Sequence, residues 1–151
     1  MNEELRAAAA AANLMAVERT KLRLAFGLAC AERVAHLLED SRAKDGLVLL
    51  RAFVEGRSSE VALRAAGDEL AAVARSHPGS KSLDGGAHAA VSATHAVAHA
   101  LAGRALDAAD YAAYAAVYAY GGYAVSDPSA FGSEFDWQVR EFTRLAALNA
   151  D

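Results

Sequence analysis

The 151-residue chain holds one cysteine, two prolines and few aromatics, 7% of its residues. A single cysteine excludes an intramolecular disulfide framework and a Cys-rich zinc module. With proline so rare, helix interiors are left unbroken, because proline removes a backbone donor and clashes with the preceding turn. Positive charge is also short: 15 Lys+Arg face 19 Asp+Glu, a net charge of −4. A phosphate-binding protein normally shows a basic face, so no nucleic-acid partner is expected. No apolar run reaches the roughly 20 residues of a membrane-spanning helix, and no membrane partner is expected either. Met1–Leu5 is polar and acidic, unlike an export signal, which points to a cytoplasmic protein. Walker, dinucleotide-binding and nucleophile-elbow motifs are all missing.

What is present is alanine, about a quarter of the chain and far above ordinary usage. Alanine has the best helix propensity of any residue, so the expected fold is all-α. The expectation is one domain over residues 1–151, a bundle of antiparallel helical hairpins with five to seven helices. Glu3 and Glu4 suit the start of a first helix, read from Asn2 to about Val17. A second runs from Thr20 to Glu39, with Leu24, Leu28, Ala31, Ala35 and Leu38 as its apolar stripe. No Gly or Pro separates the two, so the pattern leaves one bent helix or two open. Asp40–Asp45 reads as a turn, and a helix follows from about Lys44 to Val54 until Gly56 stops it. Ser58 or Ser59 caps the next, which runs to Arg75 with Val61, Leu63, Ala66, Leu70 and Val73 inward. His77-Pro78-Gly79-Ser80 is the strongest break.

Two later stretches carry no charge, one between Asp84 and Arg104 and one between Asp110 and Asp127. A helix uncharged on every face is expected to be buried on most sides, so these two are predicted innermost. Ser126, Asp127 or Ser129 can cap a last helix bearing Phe135, Trp137, Phe142, Leu145 and Leu148.

Chemistry-bearing residues fall on several of these helices. His88, His95 and His99 share one stripe, with Ser92 between them. His95 and His99, four apart, have the spacing by which two imidazoles grip a metal, although a bundle histidine is more often simply hydrogen-bonded. The adjoining glutamate of a metalloprotease helix is missing. On the second helix Glu32 and His36 are i, i+4 neighbours beside Arg33, and Glu32 could hold His95 or His99 and fix its tautomer. A polar cluster of Glu32, Arg33, His36, His88, His95 and His99 is therefore expected, without a bound metal or other cofactor. Cys30 sits between alanines and reads as an inert small hydrophobe. Tyr111, Tyr114 and Tyr118 form a stripe suited to packing with hydroxyls at the rim. Phe135, Trp137 and Arg140, with Tyr111 and Tyr114, are the candidate anchors for a partner protein.

Cys30-Ala31-Glu32-Arg33-Val34, then Leu38-Glu39 and the Asp40-x-Arg42 turn, resembles the opening of bacterial putative immunity proteins of the Imm5-like type. Ala52-Phe53-x-x-Gly56, Arg64-Ala65-Ala66, His95-x-x-x-His99-Ala100 and Trp137-Gln138 are similar to that family's later landmarks. The resemblance covers about residues 22 to 145 and leaves the N-terminal helix, residues 1–19, outside. It departs at Asp40-Ser41-Arg42-Ala43-Lys44, where a proline is missing, and at Phe53, where a tryptophan is expected. It implies an all-α protein without turnover that binds and neutralises a cognate toxin in the producing cell. A metal- or small-ligand-binding protein, even an enzyme, built on His95, His99 and Glu32 is the alternative. Alanine-lined helices also let subunits approach closely, so a homodimer is compatible with either reading.

Overall fold

The computed structural model describes residues 1–77 and 86–149. Among these it has seven α-helices and no strand: α1 (Glu3–Ala11), α2 (Thr20–Arg33), α3 (Ser41–Val54), α4 (Glu60–Ser76), α5 (Gly86–Leu101), α6 (Ala105–Tyr120) and α7 (Gly132–Leu148). No helix is long and apolar enough to cross a membrane among the described residues. The break expected at His77–Ser80 lies, beyond His77, outside the described residues.

Local chemistry sets most boundaries. Ser59 caps α4 by accepting the Ala62 N–H at 3.1 Å, and Gly56, at φ 77°, closes the end of α3. The first expected helix stops earlier than predicted, at Ala11, and is separate from α2. Asn13 is the cause. It takes a left-handed φ of 53°, a conformation asparagine tolerates better than most residues. The Asn13 and Leu14 N–H groups then donate back to Ala10 and Ala9, the Schellman pattern, and Leu14 turns into the core. The helix after it ends at Arg33 rather than Glu39, and a 3-10 turn over Ala35–Leu37 follows, which lets Leu38 reach the interior. Asp40–Asp45 is not a turn. Asp40 caps α3 by accepting the Arg42 N–H at 2.8 Å, and the helix starts at Ser41. Asp127 caps a 3-10 turn, Pro128–Phe131, that leads straight into α7. Val61 was expected to point inward and is 80% exposed, because on a helix it stands about 200° from buried Leu63.

The core is centred on α5, ten of whose sixteen residues are buried, and it packs against α2, α3, α4 and α6. Its companion at the centre is α2, which touches α3, α5, α6 and α7. The expectation that both charge-free stretches are innermost is therefore half corrected. α6 buries an alanine face but presents tyrosines outward, since a neutral phenol can meet water without charge. Close approach comes from small residues. A Cβ on Gly27 of α2 would stand 3.2 Å from the Ala100 backbone of α5. Phe26 and Phe142 fill the space between α2 and α7 edge to face, 5.3 Å between ring centres.

One polar network crosses this interior. The Asn2 side-chain amide donates to the Phe135 carbonyl and to Gln138 Oε1, while Asn2 Oδ1 caps α1 at the Leu5 N–H. Gln138 Nε2 in turn donates to the Ala109 carbonyl at 2.8 Å. Both side chains are buried, so each bond avoids an unsatisfied group and fixes α1, α6 and α7 in register.

Candidate functional site

The histidine stripe of α5 and the tyrosine stripe of α6 meet. α5 and α6 are joined by a three-residue turn closed by Gly103 at φ 74°, which makes them antiparallel neighbours. His95 and His99 both lie nearly parallel to the Tyr111 ring, at 4.8 and 5.1 Å between centres. Farther along, where α5 begins and α6 ends, His88 stacks on Tyr118 at 5.1 Å. Tyr118 lies beside Tyr114, which meets Phe131 edge to face at 5.4 Å, and Phe131 contacts Phe135. Rings therefore run in contact from α5 over α6 to the start of α7. Tyr114 is 40% exposed, and Tyr120 and Tyr123, at the end of α6 and just beyond it, are about twice as open.

The Tyr111 end of this seam opens into a cleft of about 600 Å³ between α4 and α5. His95, His99 and Tyr111 line it together with Leu24, Leu63 and Leu101. Partial burial holds both imidazoles below their usual pKa of 6.5, which favours the neutral form with one donor and one acceptor nitrogen. Arg23, Arg64, Arg75 and Arg104 also line the cleft, against the carboxylates of Glu60 and Asp68.

The expected polar cluster is not brought together. Glu32 belongs to a different edge of α2, where the Arg51 guanidinium of α3 grips both its carboxylate oxygens. It makes no bond to His95 or His99, because it faces α3 rather than the α5–α6 seam. His36 is exposed in the 3-10 turn, and the end of α2 at Arg33 breaks the helical spacing that was to join it to Glu32. Arg33 points elsewhere again, donating to both carboxylate oxygens of Glu134, at 2.7 and 3.2 Å, and lying 4.4 Å above the Trp137 ring. No group of three or more His, Cys, Asp or Glu side chains suited to a metal occurs among the described residues. Cys30 is fully buried, and that burial pushes its thiol far above the usual range.

The candidate anchors separate as well. Trp137 is half-buried under Arg33 and packs on the core, Phe135 packs on Phe131, and Arg140 is exposed on α7. Tyr111 is half-buried in the cleft wall and Tyr114 is open. The sequence reading missed the four cleft arginines. Arg23 and Arg64 are far apart in the chain, and only the packing of α2 and α4 around α5 makes them neighbours of one space.

The chain is thus an all-α helical protein with an aromatic seam and a lined cleft. It belongs to a family: residues 13–145 match the model of the Imm-5 like putative immunity proteins. Searches of curated proteins and of solved structures give no match. Within the matched span lie Trp137-Gln138 and the histidine helix. α1 falls outside it, although Asn2 of its cap holds Gln138 directly.

Proposed function

We propose that this protein protects the cell that makes it by binding a cognate toxin stoichiometrically in the cytoplasm, without catalytic turnover. Family membership supports an immunity role in general. The observation that carries the contact surface is the open end of the aromatic seam. Tyr114 stands exposed in a connected row of rings, in a chain poor in aromatics, and Tyr120 and Tyr123 are exposed at the end of α6 and just past it. Tyrosine is a favoured interface anchor because it offers a large rigid surface and a hydroxyl at small cost in side-chain entropy. Asp127 and Asp136, both exposed, flank Phe131 and Phe135 in the chain and suit a basic partner. Trp137 and Arg140 lie farther along α7 and are assigned the rim of this surface, and Tyr111 its inner edge.

Co-expression with the toxin encoded beside the gene is the direct test: growth should be restored and the two chains should co-purify. A Tyr114→Ala/Tyr120→Ala double variant should fold normally and weaken the complex by roughly 2 kcal/mol, the scale of an interface hot spot. Growth arrest in the presence of well-folded protein, or a small-molecule product formed by this protein alone, would overturn the reading.

A further inference from the structure

We infer that the cleft between α4 and α5 is a second, separate binding site, and that it takes a mononucleotide: a small ligand with a flat ring and a phosphate. The inference stands without the toxin reading: apart from Tyr111, which borders both, the residues of the cleft lie outside the proposed toxin surface.

Charge is the first argument. The chain is acidic, yet four arginines line this cleft against two carboxylates. Arg64 and Arg75 have no hydrogen-bond or ion-pair partner among the described residues, while Arg104 is paired with Asp107 at 2.9 Å. Arg23 is fixed in place by donating to the Leu14 and Ala16 carbonyls and to Thr20 Oγ1. Those acceptors are neutral, so its charge stays uncompensated while its position is set. Guanidinium groups match phosphate with parallel N–H donors, and two unpaired ones offer more donors than a single carboxylate can use.

Shape and surface supply the second argument. A volume of about 600 Å³ falls within the range of small-molecule sites and is far larger than inorganic phosphate requires. Leu24, Leu63 and Leu101 give the floor an apolar character that a hydrated ion would not favour. Along one wall, the rings of His95 and His99 stack near-parallel on Tyr111, which leaves the outer faces of that stack for a further ring. A base can lie on such a wall, and the neutral imidazoles can each donate and accept at its edge. A ring on this wall and a phosphate among the arginines together describe a nucleotide.

Calorimetric titration of the full chain with AMP, GMP, CMP and UMP tests this, alongside adenosine, inorganic phosphate and a short aspartate peptide. At least one mononucleotide should bind with a dissociation constant below about 1 mM, with phosphate and the nucleoside each about tenfold weaker or more. Arg64→Gln and Arg75→Gln should each weaken that binding about tenfold, while Arg144→Gln, on α7, leaves it unchanged. Loss in the arginine variants should be accompanied by unaltered melting and unaltered toxin protection, which separates a failure here from a failure of the immunity reading. No binding by any of the four nucleotides, equal binding of phosphate alone, tighter binding of the aspartate peptide, or nucleotide binding insensitive to both arginine variants would each overturn the proposal.

Discussion

Two seams meet on α5 and are built on opposite plans. Toward α2 the residues are glycine and alanine, and the backbones approach so closely that a single added carbon at Gly27 would press on Ala100. Toward α6 alanines are buried at the centre of the contact, and at its rim half-buried histidine and tyrosine stack ring on ring with open space beside them. The first seam is tight where Gly27 meets Ala100. The rim of the second has open space and polar rings. A close-packed contact fixes position but can receive nothing, while a loosely enclosed polar contact sacrifices some packing and can hold a ligand. Stability and binding are thereby assigned to different faces of one helix.

Substitutions that carry charge into each seam should separate them most. Ala96 is fully buried one turn before Ala100, on the α2 side, and Ala96→Arg should cost about 4 kcal/mol or more, enough to unfold a marginal domain. Ala98 lines the cleft, so Ala98→Arg should be tolerated with the guanidinium in the open space. Urea unfolding followed by circular dichroism measures both, and equal losses would break the comparison.

Bulk gives the next contrast. Gly27→Leu forces four carbons into a contact that is already tight and should cost about 3 kcal/mol. At Gly67 of α4 an added Cβ would meet Leu101 at an ordinary 3.7 Å. Gly67→Ala should therefore stabilise α4, by up to about 1 kcal/mol from helix propensity. The same unfolding curves decide both.

On the ring seam the effects should be smaller. Tyr111→Ala removes the ring on which both histidines stack and should cost about 1 kcal/mol beyond its lost area. Acidification should show the least effect. Burial lowers the pKa of His95 and His99 in the folded state, so below the ordinary 6.5 the unfolded chain takes up protons more readily. Stability from this source is fully present above that value, declines as pH falls through it, and levels off below the depressed folded pKa. Melting temperatures at pH 8, 6 and 5 should show a decline that shrinks in a His95→Gln/His99→Gln variant. Asp40 acts at lower pH. Its carboxylate, held at a pKa of about 2 by its bonds to Arg42, supports the cap of α3 until acid protonates it.

The amino-acid order by itself determined the helical class, the cap at Ser59 and the stop at Gly56, because propensity, capping and left-handed glycine are properties of a few neighbouring residues. It also displayed the histidine stripe and the tyrosine stripe, each as a regular spacing on its own helix. The stop at Asn13 was written there too, but asparagine announces a left-handed end less clearly than glycine does. What only the tertiary structure decided is which groups face one another. Glu32 stands on the side of α2 that meets Arg51, and the two stripes are halves of one seam. Helical periodicity gives the angle of a side chain about its own axis. The neighbour at that angle is set by burial of apolar surface over the whole bundle, a sum no local spacing contains.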